Sequence, residues 1–289
     1  MSDRVCIVGA KGMLGRELVR ACESAAPRLG YDALDVEEID IADAGSVNAV
    51  FEKLRPRLVI NAAAYTNVDG CETERELAMA VNARGPENLA RACRGHDARL
   101  VHVSTDYVFD GSKREPWVPE DPIQPQSVYG LTKAEGERLV RENLPQHVIV
   151  RTSWLYAAQG NNFVRTMLRL AGEKPELRVV NDQFGFPTFA RDLASVLLTV
   201  GRASVTGTYH FCNAGMCSWH EFASEILRMA GSRVPVKTMS SSELNRPAPR
   251  PAYSVMSTES LTAATGLRPR PWRTALAECL SELGSLVCE

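Results

Sequence analysis

Tyr129-Gly130-Leu131-Thr132-Lys133 sets a phenol and an ammonium one helical turn apart, so both side chains fall on one face of a helix. An ammonium beside a phenol stabilises the phenolate and lowers the tyrosine pKa. A tyrosine tuned in this way gives or takes a proton near neutral pH. The same spacing also arises at an ordinary helix start carrying a solvated lysine, so its meaning depends on what other stretches bring to it.

Three stretches must position that pair and whatever it acts on. The first is Val5-Cys6-Ile7-Val8, an apolar run of the buried-strand kind, followed by Gly9-Ala-Lys-Gly12-Met13-Leu14-Gly15 and a helical pattern through Leu18, Val19 and Cys22. Strand, glycine turn and helix meet the demands of a dinucleotide site: backbone approaches a pyrophosphate closely and a helix N-terminus faces it. Asp35, after the weak strand Tyr31–Leu34, is placed to accept hydrogen bonds from the adenosine ribose hydroxyls. A carboxylate there repels a 2′-phosphate, which favours NADH over NADPH. Asp40 and Ile41 are expected beside the adenine.

The second stretch is Leu58-Val-Ile-Asn-Ala62-Ala63-Ala64, a strand whose small exit residues let a flat ligand lie against backbone, or simply pack against a helix. A long helical region from about Glu72 to Arg94 follows, with an interruption expected near Gly85-Pro86. The third stretch, Leu100-Val-His-Val-Ser104-Thr105, ends in hydroxyls at the same sheet edge. They can meet the Tyr129 phenol at one substrate oxygen or bond local backbone. A loop with four prolines between Pro116 and Pro125 delivers Tyr129 to that edge.

Composition sets the frame. The 289 residues are 45% hydrophobic and 24% charged with a formal net charge of -2, which announces no basic surface for nucleic acid or membrane. No run of about eighteen apolar residues or signal-peptide pattern is present, so a cytoplasmic protein is expected, with no membrane partner. Eight scattered cysteines without a CxxC pair suit free buried thiols. His210, Cys212, Cys217 and His220 are possible zinc ligands, but the spacing lacks close ligand pairs. Ser218 with Glu221 instead forms the pattern of a capping box opening a helix, and no metal site is assigned.

Together the runs resemble the extended short-chain dehydrogenase/reductase superfamily and, within it, the dTDP-4-dehydrorhamnose reductase family. The superfamily likeness rests on Gly9/Gly12/Gly15, Thr105 and Tyr129-x-x-x-Lys133. The narrower one rests on Asn61-Ala-Ala-Ala-Tyr-Thr-Asn-Val-Asp69, Ser104-Thr-Asp-Tyr-Val-Phe-Asp-Gly111, Arg151-Thr-Ser-Trp154, Asn181-Asp-Gln-Phe-Gly-Phe-Pro-Thr188 and Arg250-Pro-Ala-Tyr-Ser254.

The resemblance implies an α/β fold: a doubly wound parallel sheet (Rossmann) over residues 1–155, to which later segments return, and a smaller substrate-binding domain mainly from 156–289. It implies reduction by NADPH or NADH of the C4 ketone of dTDP-4-dehydro-L-rhamnose. Hydride attacks the carbonyl carbon, Tyr129 protonates the oxygen, Thr105 hydrogen-bonds it, and Lys133 tunes Tyr129 and bonds the nicotinamide ribose. Thr66, Val68, Asp106, Tyr107, Trp154, Asn162 and Arg250 are implied sugar-nucleotide contacts, with Arg250 facing the diphosphate.

Related 4,6-dehydratases carry Thr-Asp-Glu where this chain has Thr105-Asp106-Tyr107, so elimination lacks its base. An epimerase that borrows and returns a hydride needs no such pair and stays open, as does a regulatory subunit resembling that of methionine adenosyltransferase. Some family members bridge a homodimer with magnesium. Glu17 matches one such ligand, while Phe189-Ala-Arg-Asp-Leu193 does not clearly supply the second, so a monomer and a homodimer both remain open.

Overall fold

Alternation along the first strand sorts its side chains: Val5 and Ile7 enter one apolar core, Cys6 and Val8 another. A strand buried on both faces belongs inside a parallel sheet covered by helices. The computed structural model, which describes residues 4–25 and 29–285, has that arrangement. The chain runs β1 (Val5–Val8), α1 (Met13–Ser24), β2 (Tyr31–Leu34), α2 (Ala44–Leu54), β3 (Leu58–Asn61), α3 (Val68–Thr73) and α4 (Arg75–Met79). It continues through α5 (Gly85–Gly95), β4 (Arg99–Thr105), α6 (Val128–Asn143), β5 (His147–Thr152), β6 (Leu155–Tyr156), α7 (Phe163–Glu173) and β7 (Leu177–Val180). Next come β8 (Phe184–Gly185), β9 (Thr188–Phe189), α8 (Ala190–Arg202), β10 (Gly207–His210), β11 (Cys217–Ser218) and α9 (Trp219–Met229). The last elements are β12 (Val236–Met239), α10 (Ser241–Leu244), α11 (Glu259–Thr265) and α12 (Trp272–Glu282).

Six strands form one parallel sheet in the order β2-β1-β3-β4-β5-β10. The connection from β1 goes one way to β2, and the next strand, β3, lies on the other side of β1. That reversal opens a crevice beyond the carboxyl ends of β1 and β3, where open α/β sheets bind ligands. Leu14 and Leu18 of α1 and Leu193 and Leu197 of α8 cover one face; Phe51 of α2, Leu89 of α5 and Val140 of α6 cover the other. After residue 155 the chain therefore returns to the sheet with β10 and covers it with α8, and α11 adds Leu261 to the same core.

A separate core joins α7, α9 and α12 around Val164, Met167, Phe222, Ile226, Trp272 and Leu276. Its sheets are small: β7 pairs with β12, β6 with β9 and β8 with β11. Ser218 caps α9 with the full capping box, its hydroxyl accepting from the Glu221 N–H and the Glu221 carboxylate accepting from the Ser218 N–H. The expected break near Gly85-Pro86 takes a different form. A π-helical turn over Ala80–Arg84 leads into α5, and Pro86 sits in its first turn, where a missing N–H costs nothing.

Candidate active site

The glycine turn is shaped by backbone approaching backbone. Gly9 has φ 83°, and a Cβ there would lie 2.6 Å from the Ala63 nitrogen. At Gly15 a Cβ would lie 2.1 Å from the Gly9 carbonyl oxygen, which locks α1 onto the turn. Gly12 provides α1 with no side-chain cap, and its first turn holds no acid, so the N-terminal N–H groups face outward with their positive dipole uncompensated. Asn61 supports the opposite wall: its side-chain oxygen accepts from the Ala63 N–H at 3.1 Å and its amide meets His102 at 3.1 Å.

Between these walls lies a cavity of about 260 Å³ lined by Gly9, Gly12, Asp35, Asp40, Ile41 and Ala62 to Ala64. Sequence reasoning missed its apolar floor, Val8, Val36, Ile39 and Val81. Val36 and Ile39 sit in the turn after β2, where no periodicity marks them. The Asp35 carboxylate accepts from the Lys11 and Val36 N–H groups at 2.7 and 2.9 Å, which fixes its orientation.

An adjoining cavity of about 600 Å³ shares Gly12, Ala62 and Ala64 and opens over the ends of β4 and β5. Met13, Leu14, Thr66, Val68, Thr105, Asp106, Tyr107, Tyr129, Lys133 and Trp154 all line it. Ser127 starts α6 by accepting from the Gly130 N–H at 3.1 Å, and Gly130 lets the helix approach the Tyr107 carbonyl so closely that a Cβ would sit 2.2 Å from that oxygen. Tyr129 is thereby pressed against Tyr107, ring centroids 5.4 Å apart and edge to face. Val103, Ser104, Thr152 and Ser153 also line the cavity; as strand-end residues of β4 and the β5 exit they were within reach of the sheet-edge rule.

The proton inventory corrects one expectation. Burial pushes the Tyr129 phenol above the ordinary tyrosine range, the hydrogen bond with Thr105 opposes this and the Asp106 charge adds to it, so the net shift is the reverse of the fall expected from Lys133. The Lys133 ammonium instead donates to the Val103 carbonyl at 2.7 Å, and burial brings its own pKa down to about 8, with Glu137 opposing the fall. Thr105 donates to an Asp106 carboxylate oxygen at 2.9 Å. Burial raises Asp106 to about 6, while the Thr105 and Ser254 hydroxyls favour its ionised form.

Two residues named from the sequence as sugar-nucleotide contacts do not line this cavity. Asn162 caps α7, accepting from the Arg165 N–H at 3.2 Å and donating to the Ala157 carbonyl at 2.8 Å. Arg250 grips Asp69 through two hydrogen bonds of 2.6 and 2.9 Å, next to the Tyr107 wall. Glu17 pairs with Arg191 at 3.1 Å, and Arg191 also binds Glu278 and Glu282, so a guanidinium gathers these acids. The four histidines and cysteines between 210 and 220 do not converge; among the described residues no group of three or more metal-ligating side chains could hold an ion.

The nicotinamide-type cradle, the Tyr129/Lys133 pair and the Thr105-Asp106-Tyr107 run thus converge on one crevice. A family model described as the RmlD substrate binding domain matches residues 3–285. The chain belongs to the dTDP-4-dehydrorhamnose reductase family. It is 44% identical over 288 residues to the dTDP-4-dehydrorhamnose reductase of Streptomyces griseus, covering 97% of this chain and 94% of that one. It is 42% identical to a probable dTDP-4,6-dihydroxy-2-methyloxan-3-one 4-ketoreductase of Streptomyces antibioticus, over 97% and 95% of the two chains. The crystal structure of the Bacillus anthracis dTDP-4-dehydrorhamnose reductase in complex with NADP superposes with a TM-score of 0.94 at 40% identity, covering 98% of this chain and all of that one.

Proposed function

We propose that this protein reduces the C4 ketone of dTDP-4-dehydro-L-rhamnose to dTDP-L-rhamnose with NADPH or NADH in the cytoplasm. The observation that carries the reading is the shared cavity: Thr105, Tyr129 and Lys133 face the same space as the α1 N-terminus and Ala64. The glycine cradle, closed to any Cβ at Gly9 and Gly15, and the uncapped helix start fit a dinucleotide. Gly9, Gly12, Met13, Leu14 and Gly15 would hold the pyrophosphate, Asp35 the adenosine ribose, Asp40 and Ile41 the adenine, and Ala62 to Ala64 the flat wall. When bound, the cofactor supplies the hydride.

The chain's own groups supply the proton. A phenol raised by burial stays protonated through neutral pH, so Tyr129 is loaded as the acid that meets negative charge building on the ketone oxygen. Thr105 steadies the phenol through their hydrogen bond. The Lys133 ammonium offsets the phenolate left after transfer. Thr66, Val68, Asp106, Tyr107 and Trp154 form the sugar wall, with the elements after residue 155 supplying most of the substrate side apart from α8 and β10. Arg250, held by Asp69, borders the entrance for the diphosphate, and Asn162 acts by fastening the Ala157–Gly160 loop beside Met13. The test is nicotinamide absorbance with NADPH or NADH and dTDP-4-dehydro-L-rhamnose: cofactor oxidation supports the reading, and none with protein that binds cofactor rejects it.

The likeness to a 4-ketoreductase of a different dTDP sugar favours one second reading, reduction of another dTDP-4-ketose. Comparing rates on the C3/C5-unepimerised ketone separates the two.

A further inference from the structure

Lys133 is almost fully buried, and a buried ammonium needs an anion. One turn further along α6, on the same face, lies Glu137, which is completely buried. Its carboxylate accepts from Arg151 Nε and Nη2, both at 2.8 Å, and from Arg141 Nη2 at 2.5 Å. Arg151 stands at the end of β5, immediately before the Thr152–Trp154 wall of the cavity, and also reaches the Pro119 carbonyl at 3.2 Å and His210 at 3.3 Å. Two guanidinium groups therefore hold a single carboxylate beneath the site, one helical turn below Lys133.

We propose that Glu137 is a positioning residue for the reduction, the counter-ion that keeps Lys133 protonated and joins the Tyr129 helix to the cavity wall through Arg151. Tyr129, Lys133 and Glu137 follow one another on α6 with four-residue spacing, so proton donor, ammonium and counter-ion form one line running inward from the cavity. The inference rests on the reading of Lys133 as part of the catalytic set.

The surrounding charges leave this role to Glu137. From β4, His102 is held neutral by burial and by the nearby cations. From β5, Arg151 and His147 contribute a positive and a weakened basic group. His210 of β10 is pushed down to about 3 by burial and Arg151, so it is neutral. Arg141 on α6 is positive and reaches the surface. Asp106, across the cavity, acts on Tyr129. Burial pulls Lys133 towards the neutral amine and Glu137 opposes it.

The experiment is the pH dependence of kcat and KM for the full chain with NADPH and the ketone, for Glu137→Gln and Arg141→Gln, with folding checked by thermal melting. A lysine that must be charged gives a rate that falls as pH rises through its pKa. Glu137→Gln should move that descending limb of kcat to lower pH by about one unit, and Arg141→Gln, which removes a competing cation, should move it to higher pH. A purely structural role would scale the profile without shifting it. Should Glu137→Gln fail to fold, Glu137→Asp decides the matter: drawing the carboxylate back should move the limb to lower pH, and an unmoved limb overturns the role. With only six lysines in the chain, the NMR titration of the Lys133 ε-carbon, assigned through Lys133→Met, provides a readout independent of turnover. Unmoved limbs and an unmoved Lys133 titration, with Lys133→Met inactive, overturn the role of Glu137 and leave the functional reading standing. Full activity in Lys133→Met overturns that reading and this inference with it.

Discussion

Replacing Asp106 with asparagine should stabilise the protein at neutral pH while impairing turnover, because the carboxylate is ionised at a place that resists charge. Asp106 is 2% exposed, and its Oδ2 has no direct hydrogen-bond partner among the described residues. Burial lifts its pKa from 3.8 to about 6. A carboxyl whose folded pKa is raised contributes stability that is fully present below the unfolded value and is lost as pH rises through the folded one. Two pKa units correspond to ~3 kcal/mol, the cost of ionising Asp106 in the folded chain above about pH 6. Asparagine keeps the oxygen that accepts from Thr105 and never ionises. Its advantage should be ~3 kcal/mol near pH 8, or roughly 6 °C in Tm for a chain of this size, and should vanish near pH 4. Urea melts of both proteins across that range measure it. An advantage that is constant with pH, or that grows in acid, would refute the reasoning. Turnover should fall in the same variant, since Asp106 orients Thr105 and faces the substrate cavity.

Three further outcomes follow from the site. Asp35→Ser removes a fixed carboxylate from the ribose end of the cradle, so the ratio of kcat/KM for NADPH to that for NADH should rise by about tenfold, as one lost charge contact at partial exposure is worth roughly 1.4 kcal/mol. An unchanged ratio would show that Asp35 does not select the cofactor. Gly15→Ala pushes a methyl into the Gly9 carbonyl and should weaken cofactor binding, followed by fluorescence titration, by at least about tenfold. Arg250→Met should destabilise the protein at pH 7 by roughly 1–2 kcal/mol, because the hydrogen bonds from Arg250 hold Asp69 near 2, and a depressed carboxyl contributes stability above its unfolded pKa that is lost as pH falls. The difference from the parent should therefore shrink as melts are taken from pH 5 towards pH 2.

Local chemistry that depends on spacing was legible in the chain. The strand, glycine turn and helix from Val5 to Cys22 read directly, since only Gly fits where backbone meets backbone. The Ser218/Glu221 capping box and the sheet-edge position of Thr105 were equally local. What escaped depended on three-dimensional neighbours. The tyrosine-lysine spacing predicted a shared helix face, which is present, but not that Lys133 would turn to the Val103 carbonyl while burial raised Tyr129. Arg250 looked like a free cation because its partner Asp69 lies far back in the sequence, and Asn162 became a helix cap for reasons visible only in the turn before α7. The expectation that later segments return to the main sheet came from the family resemblance, because the Gly207–His210 run of β10 carries no apolar pattern of its own.

The central claim is that hydride is delivered to the C4 carbonyl and stays there. Incubation with NADPH deuterated on the transferred side of the nicotinamide and dTDP-4-dehydro-L-rhamnose, followed by NMR of the sugar product, tests it directly. The account predicts one deuterium at C4 of dTDP-L-rhamnose, and a rate reduced by about two orders of magnitude or more in Tyr129→Phe. Product without deuterium, or undiminished turnover in Tyr129→Phe, would contradict it.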